Sequence, residues 1–294
     1  LISIIICGYN NVLSQKICEN IKASCGVVSE LLIVDNQKYN LPLTKAYNYG
    51  CSNAKFDFLV LVHEDVIFHT QNWGKILLHY FKDLQSPGVL GIAGSSYLPI
   101  SPSDWWVSDQ RYLHTNFLSN SKGGILGEGL LNRLGKKEPK KVFALDGMFL
   151  AMKKSVWEEF SFDEDFNGFH GYDTSICYRV SQKYQNYFVP EILIEHFSKG
   201  YPNETWLINT AMANQSIHSY IDQIKRSSMI DKELEVKAYH LFLNQLKKFS
   251  TSYRYIIFQS WRYLFRNLRH YFHFRLIYLW FSYQLVFIHK LIFK

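Results

Sequence analysis

Residues Phe58–Val62 (Phe-Leu-Val-Leu-Val) run without a break into His63-Glu64-Asp65. An unbroken apolar run of this length reads as a strand covered on both faces, as in a parallel sheet, rather than as one with a wet side. A carboxylate at the carboxyl end of such a strand lies where open α/β sheets bind their ligands. There it is placed to hold a divalent cation against phosphate oxygens. The pattern recurs twice upstream: residues 2–7 lead into Gly8-Tyr9-Asn10, and residues 31–34 into Asp35-Asn36. Helical spacing fills the gaps, over 14–23 with Ile17 and Ile21 on one face, and over 43–53. This β-α-β-α-β order with short links predicts a doubly wound, mostly parallel sheet. It brings Asn10, Asp35, Asn36 and the His63-Glu64-Asp65 triplet to one edge, as one polar pocket.

Further along, the pattern predicts a helix over 73–84 and strands over 89–94, 142–152 and 187–197, the last ending in Glu195-His196. A short helix over 155–160 has Ser155 at its expected N-cap, and one over 174–183 begins at Asp173. The stretch 95–141 is irregular, with Pro99, Pro102, Trp105, Trp106 and the glycines 123, 124, 127 and 129. Loops this long are usually functional, and specificity is expected to reside here. The glycine-rich piece is not a P-loop, because no Gly-Lys-Ser/Thr comes after it.

The net charge of +7 is carried by one end of the chain. From Thr251 onward there are Arg254, Arg262, Arg266, Arg269, Arg275, Lys290 and Lys294 and no Asp or Glu, so the remainder is neutral. That distribution argues against nucleic acid, whose partners spread Lys and Arg over a folded face. The five cysteines, Cys7, Cys18, Cys25, Cys51 and Cys177, form no CxxC pair and suggest neither a disulfide framework nor a zinc site. Cys7, inside an apolar strand, is expected to be a buried thiol, and the set fits a reducing cytoplasm. The apolar start is about seven residues long without a basic flank, and reads as a strand rather than a signal peptide.

Seven segments, in order over about residues 1–200, together resemble a family 2-type glycosyltransferase of the GT-A fold: SIIICGYN (3–10), LLIVDN (31–36), LTKAYNYG (43–50), LVHEDV (61–66), LDGMFLAMKKSVWEEFSFDEDF (145–166), GFHGYDTSICYRV (168–180) and IEHFSKG (194–200). The HED form of the acidic motif with the later FHGYD is similar to a bacterial subgroup. The resemblance implies a GT-A-type, Rossmann-like catalytic domain over 1–200, with 201–294 as a helical, basic, aromatic-rich extension. It implies a nucleotide-sugar donor, a UDP-sugar first, and Mn²⁺ or Mg²⁺ as the divalent metal. Tyr9, Asn10, Asp35 and Asn36 would line the nucleoside pocket, and Glu64 and Asp65 would reach the donor. Asp65 is then the principal metal ligand and His196 a second, while His63 replaces the usual first Asp of the motif. Asp146 and Gly147 match a segment near the sugars, where glycine lets a ligand approach the backbone. Asp173 corresponds to the catalytic base, with Tyr172 where Glu is common and Arg179 further along.

Several of these residues have a plainer reading beside the functional one. Asn10 also suits a cap for the first helix, Asp173 a cap for its own, and His196 a solvated strand end. Lys45 on the second helix reads as solvated. Trp105 and Trp106 either stack on a sugar ring or anchor the loop. No QxxRW occurs, so a single addition is expected rather than processive synthesis. The function expected is an inverting transfer of one sugar to a cell-surface glycan acceptor, lipid-linked. The rivals are a non-catalytic sugar- or partner-binding module of the same fold and a nucleotidyltransferase, for which Gly8-Tyr9-Asn10-Asn11 is a poor loop. In the tail, helices are expected over 208–224 and Lys232–Phe249. Arg262, Arg266, Arg269 and His273 share one helical face. The longest uncharged run, 276–288, is too short to span a bilayer. A basic, aromatic helix suits an anionic membrane surface, which would place the protein peripherally at the inner face of the cell membrane through 252–294. The alternative is a helical hairpin packed on the catalytic domain or on a second subunit as a homodimer.

Overall fold

The structure, a computed structural model, describes residues 1–103, 105–107, 109–119, 138–197 and 202–292. The glycine-rich piece 123–129 and the end of the last matching segment, 198–200, lie outside the described residues. The amino-terminal half runs β1 (Ile2–Gly8), α1 (Asn11–Ser24), β2 (Ser29–Asp35), α2 (Asn36–Tyr39), α3 (Leu43–Ser52), β3 (Phe58–Val62), β4 (Val66–Phe68), α4 (Trp73–Asp83), β5 (Pro87–Gly91) and β6 (Ala93–Ser95). Then come β7 (Leu113–Thr115), β8 (Phe117–Ser119), β9 (Lys140–Val142), β10 (Ala144–Leu145), β11 (Phe149–Lys153), α5 (Lys154–Glu159), α6 (Tyr172–Val180), β12 (Gln185–Phe188) and β13 (Ile194–His196). Five helices follow among the described residues: α7 (Glu204–Ser216), α8 (His218–Ser227), α9 (Lys232–Phe249), α10 (Tyr253–His270) and α11 (Phe274–Ile292).

The main sheet has seven strands in the order β2-β1-β3-β11-β5-β12-β9. All but β11 and β9 point the same way, so it is mostly parallel. The alternation along β1 and β3 explains why both faces are dry. Ile2, Ile4, Ile6, Val60 and Val62 enter one buried cluster, while Ile5, Cys7, Leu59 and Leu61 enter the other. The first cluster continues through Trp206, Tyr239, Phe242, Tyr263 and Phe287. The carboxyl-terminal helices therefore pack into the same core as β1.

Three predicted strands are each broken in two or more. The run 89–94 divides at Ile92, with β5 in the main sheet and β6 in a small sheet β10-β6-β7. The run 142–152 breaks at the Asp146-Gly147 turn, and 187–197 at Pro190, which offers no N–H to a ladder. The break at Pro190 matters most, because it frees β13 to join β4 and β8 in a separate sheet. The helix expected over 208–224 is interrupted at Ile217. Helix α5 starts at Lys154, with Lys153 as its N-cap, so Ser155 does not cap it.

The tail's basic face is not left wholly to solvent. Arg266 and His270 on α10 pair with Asp222 on α8 at 2.7 and 2.8 Å, and Arg275 on α11 pairs with Glu233 on α9 at 2.9 Å. The last two helices and the link between them expose many aromatic residues, including Phe258, Phe265, Phe272, Phe274, Tyr278 and Phe281. No helix of the described residues is long and apolar enough to cross a membrane.

Candidate active site

The register of the main sheet assembles the site. Gly8 lies opposite Asp35 across β1 and β2, and Ile6 opposite Val62 across β1 and β3, so the residues after all three strands share one edge. Strand β11 enters in the opposite sense, with Phe149 opposite Val62. Its leading turn, Asp146-Gly147-Met148, thereby reaches the same edge, and the His63 N–H donates to Met148 O at 3.2 Å. Strand β13 pairs with β4, His196 opposite Val66, and the Phe197 N–H donates to Asp65 O at 3.0 Å. That ladder carries a histidine from late in the chain to the side of Asp65.

His63, Asp65 and His196 form a cluster whose ligand atoms lie within 4.8 Å of one another. His196 Nε2 stands 3.4 Å from Asp65 Oδ1, and His63 Nδ1 stands 4.0 Å from the same oxygen. The other nitrogen of His63, Nε2, is hydrogen-bonded to the Tyr172 hydroxyl at 2.8 Å, which orients the ring. Burial, reinforced by His196 and opposed by Asp65, depresses His63 to about 4, so it is neutral near pH 7 with Nδ1 turned to the cluster. For His196, burial pushes down but the adjacent Asp65 carboxylate outweighs it, and the imidazole lies above its ordinary value. For Asp65, burial pushes up and the two histidines, His196 first, pull it below the carboxylate range. His196 Nε2 is buried without a well-formed hydrogen bond. An orphaned donor atom among two imidazoles and a carboxylate is the chemistry of a cation position, and the cluster fits a divalent ion. His63 thus belongs to the cluster rather than marking its loss.

Asp173 lies in the first turn of α6, where the helix dipole favours negative charge. It does not cap the helix: that position is Gly171, at φ +77°, where a β-carbon would press on Asn209 at 2.8 Å. Asp173 instead accepts from the Gly147 N–H at 3.0 Å and from the Thr174 N–H at 2.8 Å, joining α6 to the turn before β11. Its carboxylate retains accepting capacity beyond these two bonds. Asp146 accepts from the Met148 N–H at 2.8 Å. Gly147 has a different reason for being glycine than approach by a ligand. A β-carbon there would lie 1.9 Å from the Tyr172 hydroxyl, so the space is taken by Tyr172.

Glu64 turns back toward the strand end. One oxygen accepts from the N–H groups of Tyr9 and Asn10, both at 3.0 Å, and from Ser14 Oγ at 2.9 Å. It clamps the β1–α1 turn and sets Tyr9, whose ring packs edge-on to Phe169 at 5.1 Å. Burial pushes the Tyr9 phenol up to about 12, so it stays protonated.

One cavity of about 1220 Å³ joins these parts. Tyr9, Glu64, Asp65, Asp146, Gly147, Asp173 and His196 line it, with His63 and Tyr172. Asn10, Asp35 and Asn36 are not among its lining residues. Asn10 caps α1 through the N–H groups of Val12 and Leu13, and Asp35 caps α2 through Lys38. Asn36 is 1% exposed, and its amide is spent on Tyr9 and on both backbone groups of Leu41. Its side chain supports the pocket wall from behind, through Tyr9 and Leu41. Cys7 is a buried thiol pushed up to about 12 by burial, as expected of a strand interior.

Sequence reasoning did not find the far wall, which is built by Trp206 on α7 and by Leu241, Asn244, Gln245, Lys248 and Phe249 on α9. The signal in α9 is a stripe at intervals of three and four, but nothing local says which stripe faces a cleft.

A model of the Glycosyltransferase like family matches residues 3–229. No curated protein sequence matches the chain. Similar solved structures include GalNAc-T7 crystallised with UDP, GalNAc and Mn²⁺, at 13% identity and a TM-score of 0.47, covering 74% of this chain and 47% of that one. Another is residues 1–349 of TarS from S. aureus in complex with UDP-GlcNAc, at 11% identity and a TM-score of 0.45, covering 91% of this chain and 72% of that one. The chain spans less than half the length of the GalNAc-T7 structure.

Proposed function

The chain belongs to the glycosyltransferase-like family that its residues 3–229 match, and on that premise we propose that it moves one sugar from a nucleotide-diphosphate donor to a glycan hydroxyl, with inversion. The observation that carries this reading is the opening of the His63-Asp65-His196 cluster and of Asp173 into one cavity that begins at Tyr9.

The nucleoside belongs at the Tyr9 end, beside Phe169 and Tyr47, with a UDP-sugar as the first choice. Asp35 stands at the rim next to this end through its pairing with Gly8. A divalent cation held by Asp65, His196 and His63 would act as a Lewis acid on the departing diphosphate. Two imidazole nitrogens favour Mn²⁺ over Mg²⁺, which prefers an all-oxygen shell. Tyr172 holds His63 in its working orientation, a role that outer partners commonly play for ligating histidines.

The attacking hydroxyl must lose a proton, and a carboxylate within reach takes it. Among the lining carboxylates, Asp65 faces the histidines and Glu64 is tied to the β1–α1 turn. Asp173, which joins α6 to the turn before β11 in the same cavity, is the one that the family resemblance assigns to the base. One base and no covalent carboxylate intermediate gives a single displacement, hence inversion.

The exposed aromatic face of α10 and α11, with Arg254 and Arg262 beside it, supports docking at the inner face of a membrane and a lipid-linked surface glycan as acceptor. Because these helices share the core, the test uses Phe265→Glu with Phe281→Glu on sedimentation with anionic vesicles, not truncation. Unchanged sedimentation would remove the membrane from the reading, and a dimer that the same pair dissolves would replace it.

The test of the reaction is a melting-temperature series with UDP-, GDP-, dTDP- and CMP-sugars, with and without Mn²⁺ or Mg²⁺. One nucleotide should raise the melting temperature only with metal, and Asp65→Ala should abolish that shift. Asp173→Asn should keep the shift while losing transfer by about 10²–10⁴-fold. Equal loss of both would sink the assignment of the base, and no shift with any donor would leave a non-catalytic module.

A further inference from the structure

We infer that the helical extension supplies a saccharide-binding subsite, in which Asn244, Gln245 and Lys248 on α9 face the cavity that Trp106 and Trp206 also line. The inference rests on the transferase reading and adds to it the substrate class of the far end of the cleft and the residues that would select it.

The cavity volume of about 1220 Å³ exceeds the roughly 300–1,000 Å³ usual for one small ligand. Beyond the nucleoside end and the cation cluster, its lining comes from the extension and from Trp105, Trp106, Phe117 and Ser119. Helix α9 divides cleanly around its axis. Tyr239, Phe242, Leu243 and Leu246 are buried in the core, while Leu241, Asn244, Gln245 and Lys248, at spacings of three, one and three, line the cavity. Positions i, i+3, i+4 and i+7 form one helical stripe. The Tyr283 hydroxyl on α11 donates to Asn244 Oδ1, which fixes the amide and leaves its NH₂ as donor. Lys248 is the one Lys or Arg among the described lining residues.

The aromatic residues are of two kinds. Both Trp105 and Trp106 line the cavity, but Trp105 is 6% exposed and packs in the core, while its neighbour, edge-on to it at 6.1 Å, is 53% exposed. Trp105 is therefore the loop's anchor and Trp106 the accessible indole. Trp206 is held edge-on by Phe249 at 5.9 Å. A pyranose ring has an apolar C–H face and a rim of hydroxyls that both donate and accept. Anchored aromatic rings suit the first, and amides, which carry donors and an acceptor, suit the second. A lipid chain would need a continuous apolar wall, and the amide stripe interrupts it.

The experiment uses the full chain on a printed glycan array, then titration of the retained glycan with tryptophan fluorescence as readout. Trp106→Ala should weaken binding at least tenfold and Gln245→Ala about fivefold, a typical effect of one hydrogen bond. Trp106→Phe should recover most of the loss, and all variants should melt with the wild type. The metal-dependent shift with a nucleotide sugar should be the same in each. The subsite is overturned if the wild type retains no glycan, or if the variants bind as well as it does. Intact nucleotide binding with indifferent variants leaves the transferase reading and removes the subsite. Glycan binding that tracks the variants without any nucleotide binding leaves the subsite and removes the reading.

Discussion

Gly147→Ala is a one-methyl substitution whose consequence can be traced to the cation cluster. Gly147 does not need a positive φ; what excludes a side chain is Tyr172, whose hydroxyl would lie 1.9 Å and whose Cζ 2.5 Å from the new β-carbon. Tyr172 is 3% exposed and packed against Tyr47 and Phe162, with centroids at 5.7 and 6.0 Å, so the ring has little room to withdraw. Overpacking of this kind costs about 1–3 kcal/mol, and losing the 2.8 Å bond to His63 Nε2 adds about 1 kcal/mol. A total of about 2–4 kcal/mol is expected in urea unfolding. Freed of Tyr172, His63 should no longer hold Nδ1 toward Asp65. The expected loss of Mn²⁺ affinity, measured calorimetrically, is about 10–100-fold, the usual penalty for removing an outer partner of a ligating histidine. Tyr172→Phe removes the nearest clashing atom, so the double variant should cost at least about 0.5 kcal/mol less than the sum of the singles. A Gly147→Ala protein with wild-type stability and wild-type Mn²⁺ affinity would disprove the coupling from glycine through Tyr172 to the cluster.

Glu64→Ala should cost about 1 kcal/mol by removing the acceptor shared by the Tyr9 and Asn10 N–H groups and the Ser14 hydroxyl and should weaken nucleotide binding. Glu64→Gln, which keeps an accepting oxygen, should restore most of both in the same unfolding and binding assays. Lys225 and Glu235 form an ion pair at 2.7 Å, and Glu235, wholly buried, also accepts from the Tyr97 hydroxyl and the Ile100 N–H. Lys225→Met should therefore cost about 3–5 kcal/mol by leaving that carboxylate unpaired, and unfolding midpoints within error of the wild type would contradict this. Burial, helped by Arg266 and Arg262, depresses His218 to about 4 against an ordinary 6.5. Below pH 6.5 the unfolded chain takes a proton that the folded one refuses, so the stability present above 6.5 is lost as pH falls toward 4. Urea midpoints for His218→Gln, compared with the wild type from about pH 7 to about pH 4.5, should fall less steeply; parallel curves would count against the assignment.

Much of this molecule was legible in linear order because its first half is built from short, consecutive β-α-β links. The runs at 2–7, 31–34 and Phe58–Val62 had to be strands dry on both faces, and parallel register then brings the residues after each strand to one edge. Cys7 as a buried thiol came from the same alternation. Where the prediction ran strands together, at Ile92, at Asp146-Gly147 and at Pro190, the missing information was which sheet each half joins. That depends on partners far away in sequence.

The site divides in the same way. Asp65 and Asp173 were readable as strand-end and helix-start carboxylates, since those positions come from local pattern alone. Tertiary structure decided that His196 lies beside Asp65, through pairing of β13 with β4. It also decided that Asn36 turns inward, that Tyr172 fills the space above Gly147 and orients His63, and that a stripe of α9 walls the cleft. Most of these are contacts between segments tens to more than a hundred residues apart. Periodicity states that a helix has a buried face and an exposed one; only the packed neighbours determine whether the exposed face meets bulk water or a binding cleft.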